Sequence, residues 1–86
     1  MEFLGQGYCD AGYYAGWDDK GLDSQDACNT VCLEESQCTF AAWAAGLTCS
    51  RYSGSSCILN DDTAHVTFRK FGESNYVVLC KKYLNS

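Results

Sequence analysis

The chain has 86 residues, a net charge of −5 and 47% hydrophobic residues. This length corresponds to one domain, and the acidic balance disfavours nucleic acids and anionic lipid surfaces, because both bind basic faces. Seven cysteines in so short a chain are typical of a disulfide-rich domain in an oxidising compartment. Three bridges use six cysteines, so the odd count predicts one that is unpaired or bonded to a partner.

The sequence contains no apolar stretch of the length that a membrane-spanning helix needs, so we expect at most a peripheral association with membranes. Residues 1–8 lack the basic start and the apolar run of a signal peptide. We therefore expect a mature fragment whose targeting segment lies outside this numbering. The cysteines place it outside the cell or in an organelle lumen, for which the thylakoid lumen is one candidate.

Glycines alternate with aromatic residues over residues 5–17, which predicts an extended first segment that turns at 18–21. Alternation along an extended segment directs one of the neighbours Tyr13 and Tyr14 inward. The aromatic segment therefore contributes both to the core and to the surface.

A helix is predicted from Ser24 to about Glu34, with Asp23 or Ser24 as its N-cap. Its inward stripe consists of residues three and four positions apart, namely Cys28, Val31 and Cys32. Both helix cysteines are thus expected to face the same side.

Turns rich in glycine, serine and aspartate separate five predicted strands, at 38–43, 48–52, 57–59, 66–71 and 76–83. We find no internal repeat and no linker. One helix packed on a small antiparallel sheet is an α+β architecture, which is the predicted fold class.

Residues 24–40 follow the spacing Ser-x3-Cys-x3-Cys-x5-Cys-x-Phe, and Cys49 comes eleven residues after the last of these cysteines. This spacing resembles the PAN/apple domain, with a motif core at 24–52 and a resemblance over roughly 8–80 of a single domain at 1–86. The family packs one helix on an antiparallel sheet and joins them through two disulfides. Apple-type members add a third bridge between the chain ends.

The resemblance implies three bridges, Cys28–Cys49, Cys32–Cys38 and Cys9–Cys80. This pairing leaves Cys57 unpaired or joined to a partner through an intermolecular disulfide. Spacing alone also allows Cys57 to replace Cys49 as the partner of Cys28.

The sequence disfavours three kinds of chemistry: metal binding, catalysis and a reactive thiol. The cysteine spacing lacks the second Cys-x2–4-Cys pair of a structural zinc site, and His65 is the only histidine, so no metal and no cofactor are predicted. His65 with the serines at 53–56 and Asp61 or Asp62 has no nucleophile-elbow pattern, which predicts a non-enzyme in which His65 is an exposed strand residue. A reactive Cys57 would need a nearby cation to lower the pKa of its thiol. The nearest cation in sequence is Arg51, whereas Asp61 and Asp62 are the nearest carboxylates, so a buried or partner-bonded Cys57 is favoured.

Aromatic residues and one arginine are the candidate partner contacts, because such residues are enriched in interface hot spots and aromatic rings also stack on sugars. They are Tyr13, Tyr14, Trp17, Trp43, Arg51, Tyr52 and Tyr83. About half of the aromatic ones are expected to be core residues instead.

The resemblance implies a recognition module, since PAN/apple domains generally bind proteins or carbohydrates. The alternative is a small extrinsic structural subunit of a membrane-associated assembly that faces an oxidising lumen, for example an accessory subunit of an algal photosynthetic complex. A recognition module should have a concave, aromatic-lined patch with a polar rim. A subunit should instead expose a large apolar face.

Overall fold

A computed structural model describes residues 1–70 of the protein. The described elements are strand β1 (Glu2–Gln6), strand β2 (Tyr13–Ala15), helix α1 (Gln25–Glu34), strand β3 (Phe40–Ala44), strand β4 (Thr48–Tyr52) and strand β5 (Val66–Arg69). The strands form one antiparallel sheet in the order β1-β5-β3-β4-β2, and α1 packs on β3. The predicted α+β class is confirmed.

The predicted strands differ from the observed ones mainly at their ends. Strand β4 has the predicted bounds, whereas β3 begins two residues later than expected and β5 ends at Arg69. The predicted strand at 57–59 is reduced to a single bridge between Cys9 and Leu59. The strand predicted at 76–83 lies outside the described residues.

Helix α1 begins where the sequence predicts, because Ser24 caps it and its hydroxyl oxygen accepts a hydrogen bond from the Ala27 amide at 3.0 Å. Cys28 and Cys32 are fully buried and face the sheet, as predicted. Val31 is only half-buried; Asn29 is the further buried residue, and its Oδ1 accepts from Gln25 Nε2 at 3.0 Å. The inward stripe is therefore polar at one position.

Three disulfides cross-link the described chain: Cys28–Cys49, Cys32–Cys38 and Cys9–Cys57. The first two confirm the pairing implied for the helix cysteines. The prediction of a Cys9–Cys80 bridge with Cys57 left for a partner is wrong, and Cys80 lies outside the described residues.

The segments around Cys9 and Leu59 run antiparallel, which explains the unexpected bridge. The Asp10 amide donates to the Ile58 carbonyl at 3.0 Å, and the Asn60 amide donates to the Tyr8 carbonyl at 3.1 Å. This pairing brings the Cα atoms of Cys9 and Cys57 to 4.9 Å, which is within the range of a disulfide. In the chain-entropy relation, closure of this 48-residue separation contributes about 4 kcal/mol to stability.

The core consists largely of half-cystines and small residues. Between helix and sheet lie the four sulfurs of the two helix bridges and Ala41, and on the other face Phe40, Ala42 and Tyr52 pack around Cys9. Such side chains bury little apolar area, so cross-links are needed to compensate for the entropy of the chain. Within residues 1–70, no helix has the length and apolarity required to cross a membrane.

Strand β4 is buried on both faces, which is unusual for a strand next to the sheet edge. Cys49 is bonded to the helix, so it and Arg51 point to the helix side. Because side chains alternate along a strand, Thr48, Ser50 and Tyr52 point to the opposite side. That second face is the floor of a groove.

Candidate functional site: an aromatic groove

A groove of about 500 Å³ lies on the sheet face opposite α1, and we call it the aromatic groove. Its floor is formed by the second face of β4, and its sides by residues 8–11 and by side chains from β2 and the loops beside it. The residues on which the following argument depends are Tyr8, Asp10, Tyr13, Trp17, Asp62 and His65. Segments distant in sequence thus form one concave surface.

Aromatic rings line the aromatic groove from its floor to its rim. Tyr52 lies at the floor with 3% of its surface exposed, and the Tyr13 ring meets it edge-on at a centroid distance of 5.8 Å. Tyr8 packs in the same manner on His65 at 5.0 Å. Trp17 stands at the rim and is 82% exposed. An exposed indole beside a concave aromatic surface is a feature of binding sites rather than of cores.

Asp62 is held in a fixed orientation at one end of the aromatic groove. Its Oδ1 accepts hydrogen bonds from the Ala64 and His65 amides at 2.8 Å each, and it lies 2.8 Å from His65 Nδ1. The hydrogen bond with the His65 ring is the main cause that lowers the pKa of Asp62, so this carboxyl group is ionised at neutral pH. None of the described residues donates a hydrogen bond to its Oδ2, which remains available as an acceptor.

Burial governs the protonation of Tyr52 at the floor of the aromatic groove. Burial raises the pKa of Tyr52 to about 12, although a hydrogen bond with Ser50 opposes the rise. The neighbouring Tyr8 and Tyr13 phenols and the Asp62 carboxylate raise it further. Tyr52 therefore stays protonated at neutral pH.

The helix side of β4 has a different chemistry, because Arg51 is only 1% exposed and all five of its N–H donors are used. It forms one fork with Asp18, at 2.9 Å for both bonds, and another with Glu35, at 3.0 and 3.2 Å. The fifth bond goes to the Cys49 carbonyl at 3.1 Å. Arg51 is therefore a structural residue that joins β4 to the end of α1, and its prediction as a partner contact is wrong.

Arg51 changes the pKa values of the carboxyl groups bonded to it. The hydrogen bonds with the guanidinium lower the pKa of Asp18 to about 2 and also lower the pKa of Glu35. Burial, followed by a 2.7 Å hydrogen bond to Glu35, raises the pKa of the Tyr14 phenol. These groups form one ionic cluster at neutral pH.

The remaining predicted contact residues are distributed over both faces. Tyr13 and Trp17 lie in the aromatic groove, whereas Tyr52 is too buried to be a contact and forms its floor. Tyr14 and Trp43 are half-buried on the helix side, where Trp43 Nε1 donates to the Leu22 carbonyl at 2.9 Å. Tyr83 lies outside the described residues. Of Tyr13 and Tyr14, one thus packs inward against the helix-side cluster, as alternation predicted.

His65 differs from its prediction, because it precedes β5 and its side chain is 13% exposed. Its ring contacts Asp62, whereas Ser53, the one serine of the 53–56 turn whose hydroxyl donates within the described chain, bonds to the Gly12 carbonyl. Within residues 1–70, therefore, no serine of that turn is hydrogen-bonded to the His65 ring. Among residues 1–70, no three His, Cys, Asp or Glu side chains converge in a way that could hold a metal ion.

Sequence reasoning missed Tyr8, Asp10, Asp62 and His65 as members of one site. The signal that could have found them was the Cys9–Cys57 pairing, which places residues 8–10 beside residues 57–60. The sequence analysis instead paired Cys9 with Cys80, so it did not place residues 8–10 beside residues 57–60.

Comparisons of the chain with protein-family models, with curated proteins and with solved structures gave no match. The PAN/apple resemblance therefore depends on the cysteine spacing. Any functional assignment depends on the geometry and chemistry of the aromatic groove.

Proposed function

We propose that this protein is a non-catalytic recognition module of the PAN/apple type, which binds a protein partner in the aromatic groove. The observation that supports it is a concave surface with Tyr8 and Tyr13 on its sides, an exposed Trp17 at its rim and carboxylates beside them. Fixed aromatic rings supply contact area at little cost in side-chain entropy. Carbohydrate is the other ligand class that the resemblance implies.

The distribution of exposed apolar side chains favours this function over that of an extrinsic subunit. Three of the six large ones in residues 1–70, Tyr13, Trp17 and Leu47, line the aromatic groove. The others are Phe3 on β1, Leu33 on α1 and Ile58 in a loop. A docked subunit should instead concentrate such residues on one large face.

The three disulfides indicate an oxidising compartment. We propose a secreted location or an organelle lumen for the module. A partner would then be an extracellular or lumenal protein.

The proposed function is tested by probing peptide, protein and glycan arrays with the native domain and with the variant Trp17→Ala. We expect array ligands that the native domain binds and that Trp17→Ala binds at least about tenfold more weakly, because hot-spot aromatics contribute 2 kcal/mol or more. The matched control is Leu33→Ala, which removes another exposed apolar side chain, on the helix and away from the aromatic groove. Equal loss of binding in both variants, or no loss in Trp17→Ala, would refute the groove as the binding site.

A further inference from the structure

We propose that the aromatic groove receives a basic side chain, lysine or arginine, of the protein partner. This inference depends on the proposed function and specifies the chemistry of its ligand. It is derived from the charges, the rings and the hydrogen-bonding groups that line the aromatic groove.

The charged side chains of the aromatic groove are carboxylates. Asp10 and Asp62 line it, together with His65, which is paired with Asp62. The basic side chains of residues 1–70 are all engaged elsewhere: Arg51 with Asp18 and Glu35, Lys20 with Glu35, Arg69 with Glu2, and Lys70 with the Glu35 carbonyl. None of these four cations lines the groove and compensates its carboxylates. Charge complementarity therefore favours a cationic ligand.

The aromatic rings suit the same ligand. Tyr8, Tyr13 and Trp17 line one cavity with Tyr52, and the faces of such rings attract ammonium and guanidinium groups. Tryptophan gives the strongest attraction, and Trp17 has the most exposed ring of the set. A lysine or arginine stem can pack on these rings while its charged end reaches a carboxylate.

The charged hydrogen-bonding groups of the aromatic groove also suit a basic side chain. The Asp10 and Asp62 carboxylates only accept hydrogen bonds, and the Thr48 hydroxyl donates its proton to the Gly16 carbonyl. These positions match ammonium and guanidinium groups, which only donate.

The test is an NMR titration of the intact protein with the peptide acetyl-Gly-Lys-Gly-amide and with the same peptide acetylated on the lysine. We expect the lysine peptide to shift the Trp17 indole resonance, and the acetylated peptide to have at least about fivefold weaker affinity. The Trp43 indole is an internal control, since its N–H is bonded to Leu22 on the helix side. It should not shift.

Two neighbouring aspartates give a matched pair of variants. Asp62 lines the aromatic groove, while the adjacent Asp61 is exposed and does not line it. Asp62→Asn keeps an Oδ1 acceptor for the loop amides but removes the charge, and we expect at least about threefold weaker binding of the lysine peptide at physiological salt. Asp61→Asn removes the same charge from the neighbouring position and should change the affinity by less than about twofold, because salt screens an exposed charge that does not line the groove.

The outcomes separate this inference from the proposed function. Equal binding of both peptides, or equal effects of Asp61→Asn and Asp62→Asn, would overturn the cationic ligand while array ligands sensitive to Trp17→Ala would still support a recognition module. Saturable binding of galactose or mannose at Trp17, with no response to the lysine peptide, would overturn it in favour of carbohydrate. If neither peptide, sugar nor array ligand acts at Trp17, both proposals fail.

Discussion

Replacement of Arg51 by lysine should destabilise the fold although it conserves the charge. The guanidinium donates five hydrogen bonds, four of them in two forks to Asp18 and Glu35. An ammonium group has three donors and no fork, so at least two bonds to charged or carbonyl groups are lost in a site that is 1% exposed. Bonds to charged groups contribute about 1.5–3 kcal/mol each, and because the Asp18 side chain is 41% exposed we use the lower value. Two bonds then give a loss of about 3 kcal/mol in the free energy of unfolding.

The assay is equilibrium unfolding in guanidinium chloride at pH 7 without reductant, monitored by tryptophan fluorescence, with a denaturant slope that matches the native protein. The control is Arg69→Lys, because the Arg69–Glu2 pair is about half-exposed and should contribute less than about 1 kcal/mol. If Arg51→Lys and Arg69→Lys lose stability equally, the five-donor arrangement around Arg51 does not stabilise the fold as described.

Three further predictions concern the cross-links and the helix end. Gly21 has φ +70°, and a Cβ added to it would lie 2.8 Å from Cys28 Cα. Gly21→Ala should therefore destabilise the protein by at least about 1 kcal/mol more than Gly46→Ala, because Gly46 has the same φ but open space around it. Equal losses of stability in thermal unfolding would contradict this contact. Because the pKa values of Asp18 and Glu35 are lowered on folding, their contribution to stability is complete above about pH 4.5 and is lost as the pH falls toward 2. Glu35→Gln should therefore reduce the loss of unfolding free energy over this pH range. An unchanged pH profile would exclude the Arg51 cluster as the origin of that loss. Limited reduction should open Cys9–Cys57 first, because Cys57 is half-buried, whereas all four cysteines of the other two bridges are fully buried. Alkylation followed by mass spectrometry identifies the first bridge to open, and a different order would show that exposure does not control access of the reductant.

The features that the sequence predicted correctly are local ones. The bounds of α1 follow from the Ser24 cap and a short periodic stripe, both readable within a few residues. The strand at 48–52 is bounded by a glycine turn on each side, which also is a local signal. The two helix bridges came from the family resemblance and agree with both cysteines facing the sheet.

The features that could not be predicted depend on distant segments. Arg51 looks like an exposed strand residue until Asp18 and Glu35, 33 and 16 residues away, are known to lie beside it. Within residues 1–70, strand β1 pairs with β5, at least sixty residues further along the chain, and its sequence contains Gly5 at an irregularity in the register. The aromatic groove likewise required the Cys9–Cys57 bridge, which spacing did not specify.

Neighbouring residues of the five-residue strand β4 have different structural roles, because they lie on its two opposite buried faces. Cys49 and Arg51 anchor the helix, while Ser50 and Tyr52 form the floor of the aromatic groove, so the floor belongs to a strand that is cross-linked to the helix. The connection that bears Trp17 is attached to the same strand, because Asp18 is bonded to Arg51 and the Gly16 carbonyl accepts a hydrogen bond from the Thr48 hydroxyl. The Trp17 side chain itself is 82% exposed, so its replacement should leave the fold intact, and one rigid backbone could present different side chains at this rim.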